Sequence, residues 1–353
     1  MNITFLIGNG FDLRLGMKTR FSDMYGGYIE QPSASDTIFR FKETLKADAP
    51  EYKTWGDFEM AMALKAKDFD EEIEFIECVR DFKLYMEEYL TQEQEKWIQR
   101  LSVSQNATAL CANELLDSIV HFYTGFTPNT VNEVLPAEKS LDINYNFISF
   151  NYTNIFDTLL NFNSMFTNRT EIVHIHGKLG ADIVLGIDNL GQVGDLPYET
   201  TNKFKRAFIK PEFNKSYDNL RIAIAEATID NSDIICVYGM SFGKSDYSWV
   251  SRLKNWLLSN ADHHLVYFVH NKKQFSKSNW DAIMDEEEDS IASLLGKMCD
   301  SGDEMGKIFA QIHIPISYDI FNVDEILKAE TIRTNELNRQ KSELQKRLRE
   351  VMQ

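Results

Sequence analysis

Short apolar runs punctuated by turn residues occupy the two ends of the chain, and a long stretch of helical periodicity lies between them. Ile3 to Ile7 is apolar or β-branched throughout, and Gly8-Asn9-Gly10 ends it at once, the signature of a buried parallel strand running into a tight turn. Similar runs occur at Asn146–Phe150, Glu171–Ile175, Ile183–Ile187, Asp233–Tyr238, His264–Val269 and Gln311–Ile316. They are mostly apolar on both faces rather than alternating, as expected of strands covered by helices on both sides of a sheet.

Between about residues 52 and 125 the pattern changes. Ile73, Ile76, Phe82, Met86 and Leu90 recur at helical spacing with Glu and Lys between them, which predicts helices and no strand. The expected fold is therefore α/β, a Rossmann-like, mostly parallel sheet formed by residues 1–35 and 141–323, with a helical insertion over 36–140. Phe204–Ile229 reads as a further helical stretch. Residues 324–353 form a charged C-terminal helix in which Leu337, Leu344, Leu348 and Val351 lie near a 3.5-residue period. Packing of that helix on its own body is expected, and a two-chain coiled coil is the alternative that would make a homo-oligomer.

Composition narrows the function classes. The 353 residues carry a formal net charge of −17 and 43% hydrophobic residues, enough for a core. Such acidity argues against general nucleic-acid binding or an anionic membrane surface. Cys78, Cys111, Cys236 and Cys299 are far apart, which suggests reduced thiols rather than a zinc ribbon or a disulfide framework. The first residues lack the basic flank and apolar length of a signal peptide, and no later run approaches a membrane span, so a cytoplasmic location is expected.

Polar residues gather at the predicted strand ends. Gly8-Asn9-Gly10-Phe11-Asp12 follows the first strand, where glycines let backbone amides approach a phosphate. The third glycine of the dinucleotide fingerprint is missing, since position 13 is Leu13, and an ordinary tight turn has the same composition. Phe150-Asn151-Tyr152-Thr153-Asn154 ends another strand, as a ligand-facing segment or a helix cap. His174-Ile175-His176-Gly177-Lys178 places two histidines on one face. His176 suits a general base, Gly177 a close backbone approach, and no acidic or cysteine cluster supports a metal site. Gly239-Met240-Ser241-Phe242-Gly243-Lys244-Ser245-Asp246 resembles a P-loop, except that Tyr238 stands where its first glycine belongs. All four segments lie at the carboxyl ends of predicted parallel strands, and such ends converge on one crevice.

Taken in order, Ile7 to Leu13, Trp55-Gly56-Asp57-Phe58-Glu59, Phe150 to Asn154, Ile175 to Leu179, Leu185-Gly186-Ile187-Asp188 and Gly239 to Asp246 resemble the AbiH family, associated with bacterial abortive infection against bacteriophage. A more distant likeness is to sirtuin-like NAD-hydrolysing domains. Gly8-Asn9-Gly10 and Asp12 resemble their Gly-Ala-Gly and following serine, Asn151-Tyr152 their Asn-Tyr-Asp with Thr153 at the acid, Ile175-His176-Gly177 their Leu-His-Gly, and Gly239 with Ser241 their Gly-x-Ser. The resemblance implies an antiphage protein with Asn151 and His176 as catalytic residues. It implies Gly8, Asn9, Gly10, Asp12, Tyr152, Gly177, Gly239, Ser241 and Asp246 around NAD as substrate or ligand, with no other cofactor required. It also implies a phage-derived trigger. A non-catalytic nucleotide sensor and a P-loop-like NTPase are the alternatives.

Overall fold

The computed structural model describes residues 1–47, 58–135, 142–163, 172–269, 279–316 and 319–351. Six strands, β1 (Asn2–Ile7), β2 (Asn144–Ser149), β3 (Val173–His174), β4 (Ile234–Tyr238), β5 (His264–Phe268) and β6 (Ile312–His313), form one sheet in the order β3-β2-β1-β4-β5-β6. Every neighbouring pair is parallel. This is the doubly wound order, in which strand order reverses between β1 and β4 and opens a crevice at their carboxyl ends.

Helices α1 (Gly10–Arg14), α2 (Phe21–Glu30), α3 (Asp36–Ala47), α4 (Phe58–Lys65), α5 (Glu72–Arg100), α6 (Ala107–Val120) and α7 (Pro128–Val134) lie between β1 and β2. Helix α8 (Ile155–Phe162) precedes β3, and α9 (Asn202–Phe208), α10 (Lys210–Tyr217) and α11 (Asn219–Asp230) precede β4. Helices α12 (Tyr247–Ser259), α13 (Trp280–Met298), α14 (Gly302–Ile308) and α15 (Val323–Val351) complete the described chain.

Strand alternation explains why the runs are apolar throughout. Ile3, Phe5, Ile7, Ile234, Cys236 and Tyr238 face one layer with α6, α8 and the start of α15. Leu6, Ile235, Val237 and Leu265 face the other, with α11, α12 and α13. A third apolar cluster joins α2 to α5 with residues between Leu179 and Ile209, so that much of the helical segment packs on the loop region after β3 rather than on the sheet. Cys78, Cys111, Cys236 and Cys299 are all buried free thiols.

Three expectations change. Ile183–Ile187 is not a strand but makes only isolated bridges, Gly177 with Ile183 and Ile187 with Ile209, because Gly186, at φ +145°, lies against the Phe208 carbonyl. The strands expected over Glu171–Ile175 and Gln311–Ile316 are confined to Val173–His174 and Ile312–His313, Glu171 lying outside the described residues. The C-terminal helix packs only through its first turns. Val323 and Leu327 enter the core, and Arg100 and Ser104 hold Asp324 and Glu330. Leu337, Leu344 and Leu348 stay exposed, since three leucines in a strongly charged stretch offer too narrow an apolar stripe to bury against the body.

The sheet's switch point is set by backbone contact. Gly8 N–H donates to the Tyr238 carbonyl at 2.8 Å and Gly10 N–H to the Gly239 carbonyl at 2.9 Å. A Cβ on Gly10 would stand 2.3 Å from the Gly239 Cα, and one on Gly239, at φ +73°, would stand 2.6 Å from the Gly10 Cα. Gly239→Ala should therefore cost about 1–3 kcal/mol in urea unfolding, through overpacking and a left-handed backbone. Gly296→Ala, in the exposed face of α13 with nothing within 4 Å of the new Cβ, should gain up to about 1 kcal/mol.

Candidate functional site

A cavity of about 490 Å³ opens at the switch point, within the usual range for small-molecule sites. Gly8, Asn9, Gly10, Asp12, Asn151, Tyr152, His176, Gly239, Ser241 and Asp246 all border it. Strand ends deliver these residues: the β1 turn brings the first four, the turn after β2 brings Asn151 and Tyr152, and the loop after β4 brings the last three. Gly177 is the exception. Its left-handed turn lies against the Asp182 carbonyl, which a Cβ would approach to 2.0 Å, so the glycine serves a chain crossing and not the cavity.

In the turn after β1, two of the amides expected of a phosphate cradle are already engaged. Those of Gly8 and Gly10 are engaged by Tyr238 and Gly239. The glycines supply closeness, and the side chain of Asn9 ties the turn to Thr19, donating to its carbonyl at 3.0 Å and accepting its hydroxyl at 2.6 Å. Arg20, just before α2, is exposed and borders the cavity with Ser22. Across the opening Phe242 is largely buried at φ +53°, a conformation that bulky residues adopt at a cost of order 1–3 kcal/mol and that concentrates at ligand sites.

The inner wall is polar and incompletely paired. Asp12 is 2% exposed, and its Oδ2 accepts the Thr153 hydroxyl at 2.8 Å. Its Oδ1 and both amide atoms of Asn151 are buried without a hydrogen-bond partner, and each such atom costs about 1–3 kcal/mol unless something else satisfies it. Burial pushes the Asp12 carboxyl up to about 7, against the pull of the Thr153 hydroxyl and of the adjacent Asn151 amide, which lies close to it without a hydrogen bond of good geometry.

Facing this wall is a buried charge network. His176 Nε2 lies 2.9 Å from Asp246 Oδ1, and its ring meets Phe150 edge-on at 5.4 Å and Tyr152 at 6.0 Å. Lys210 Nζ donates to the same Asp246 oxygen at 2.9 Å and to Glu59 Oε2 at 2.7 Å. Glu59 Oε1 accepts the Gly186 amide at 3.0 Å. Burial would raise the Asp246 carboxyl, but Lys210 and His176 outweigh it and hold it well below the usual carboxylate range. Burial would likewise lower the Lys210 ammonium, and the two carboxylates hold it above its ordinary value. An ionised Asp246 accepts the proton at Nε2 and so fixes the orientation of the ring, with Nδ1 the nitrogen it does not engage.

His174 parts from His176. Its Nε2 meets Asp157 Oδ1 at 2.9 Å and its Nδ1 faces the Asn151 carbonyl at 3.4 Å, so it stands behind Asn151 and does not line the cavity. Asp188 caps α12, accepting the Ser248 amide at 3.0 Å. Lys244 is exposed and outside the cavity, which removes the lysine a P-loop needs. Trp55, Gly56 and Asp57 lie outside the described residues. Among the described residues no cluster of His, Cys, Asp and Glu could hold a metal, and no helix is long and apolar enough to cross a membrane. Lys210 and Arg20 escaped the sequence reading. For Lys210 a faint signal existed, a lone charge after Phe208-Ile209 and before Pro211.

Fold and site together define a doubly wound α/β protein with a cavity at its topological switch point, bordered by buried polar side chains from three strand ends. The chain belongs to the AbiH family, since the model of that bacteriophage abortive infection family matches residues 4–304. No curated protein and no solved structure matches it.

Asp12 makes a measurable signature. Its carboxyl keeps its proton to about pH 7 in the fold, against an ordinary 3.8, so ionisation opposes folding and stability falls as pH rises through that window. Asp12→Asn should match wild type near pH 4 and exceed it increasingly toward pH 8, by roughly 1–4 kcal/mol in urea unfolding.

Proposed function

We propose that this cavity binds NAD and that the protein hydrolyses the bond between nicotinamide and ribose. The observation that carries the reading is the set of buried, unpaired atoms, Asp12 Oδ1 and the Asn151 amide, opposite an imidazole already oriented by Asp246. Unpaired buried acceptors beside an unpaired amide suit a ligand rich in hydroxyls, and a ribose presents two side by side. The family is one of bacteriophage abortive infection.

In this reading the C1′–N bond breaks with its electron pair leaving on nicotinamide, which departs neutral. The ribose becomes oxocarbenium-like, and water adds to C1′ while His176 Nδ1 takes a proton from that water. The products are ADP-ribose, nicotinamide and a proton. Asn151 holds the ribose or the water, and ionised Asp246 stabilises the imidazolium that forms. Gly8, Gly10 and Gly239 let the two turns touch beneath the ligand. With the amides of Gly8 and Gly10 engaged, the positive charge for a pyrophosphate comes instead from Arg20 at the mouth. Tyr152 and Ser241 border the sugar.

Purified protein incubated with NAD should release nicotinamide, and His176→Ala should lower that rate by about 10²–10⁴-fold. Asn151→Ala should lower it as well without unfolding the chain. NAD binding with no turnover in the presence of phage lysate would identify a sensor instead. ATP turnover lost in Lys244→Ala but kept in His176→Ala would move the chemistry elsewhere.

A further inference from the structure

The buried pair of Lys210 and Glu59 comes from helices and not from the sheet edge, yet it ends on the oxygen that orients His176. Glu59 is the second residue of α4, in the helical cluster beside the sheet, and Lys210 begins α10 directly after Ile209 of that cluster. Lys210 is 5% exposed and Glu59 also 5%, so neither charge is there for solubility. A buried ion pair is poor evidence of added stability, because desolvation offsets its attraction. Retention of three charges around one imidazole calls for another account.

That account follows from the shared oxygen. Asp246 Oδ1 accepts both Lys210 Nζ and His176 Nε2, each at 2.9 Å. A lone carboxylate on an imidazole favours the imidazolium and so weakens it as a base at neutral pH. An ammonium on the same oxygen takes up part of that negative charge while leaving the hydrogen bond that selects the tautomer. Glu59 in turn fixes the ammonium, and its second oxygen is locked by the Gly186 amide.

We propose that Lys210, anchored by Glu59, is a positioning residue that offsets the pull of Asp246 on the His176 ring while leaving in place the Nε2 hydrogen bond that orients it. Its importance for turnover rests on the hydrolase reading; its effect on the imidazole does not. The charged and titratable groups facing this assembly are Glu59 from α4, Lys210 from α10, Asp246 and Asp188 around the start of α12, Tyr152 beside the ring, and Asp12 and Arg20 across the cavity. Lys210 supplies the cation in direct contact with Asp246, and Arg20 stands exposed at the mouth.

The test is the titration of His176 followed by NMR on ¹⁵N-histidine-labelled full-length protein, with His176→Gln assigning the resonance. Lys210→Met alone leaves the Glu59 carboxylate buried without its lysine, so the informative variant is Lys210→Met with Glu59→Gln. The glutamine oxygen still accepts the Gly186 amide, and the net charge of the pair stays zero. The midpoint for His176 should rise by about one unit or more in that double variant, whereas Lys210→Arg should leave it near wild type. If wild type turns over NAD, the acid limb of its pH–rate profile should move up in parallel. An unchanged midpoint in the double variant overturns the proposal and reduces the pair to packing. A raised midpoint in a protein that never releases nicotinamide overturns the hydrolase and leaves the tuning of His176 standing.

Discussion

The cavity exists because two backbone turns touch. Where β1 and β4 end, the amides of Gly8 and Gly10 reach the carbonyls of Tyr238 and Gly239, and no side chain fits at Gly10 or Gly239. This contact closes the floor of the switch point and forces both chains to diverge immediately above it. Asp12 beyond the first turn and Ser241, Ser245 and Asp246 beyond the second thereby border one cavity, and the turn after β2 adds Asn151. The same contact explains why glycine recurs here with no role in cradling a phosphate through those two amides.

The walls then carry opposite kinds of polarity. On one, Asp12 and Asn151 hold buried atoms without partners, a local cost that the apolar layers on both sheet faces must offset. On the other, His176, Asp246, Lys210 and Glu59 are fully interlocked. An unpaired wall is poised to bind, and a paired wall is poised to stay still. On the proposed reading, the first wall receives the ligand and the second acts on it.

Much of this was legible in the chain because parallel strands announce both their position and their polarity. Apolar runs ending in Gly8, Phe150 and Tyr238 located the sheet, and the polar residues just beyond them are those that border the cavity. Three things were hidden for physical reasons. Lys210 acts through space, on Asp246 and Glu59, with no spacing to betray it. Ile183–Ile187 has strand composition, but the crossing at Gly186 and Phe208 overrides it. The heptad-like leucines of α15 share their period with a packing helix, yet the body ends before they arrive. Gly177, too, reads like a site glycine, although its freedom serves the neighbouring Asp182 carbonyl.

Whether the unpaired wall receives a sugar is settled most directly by a crystal structure with ADP-ribose, the product that keeps the hydroxyls. The account expects ribose hydroxyl oxygens within about 2.5–3.2 Å of Asp12 Oδ1 and of the Asn151 amide, with C1′ turned toward His176. ADP-ribose seated in another part of the molecule, or in this cavity with those atoms still unpaired, would contradict it.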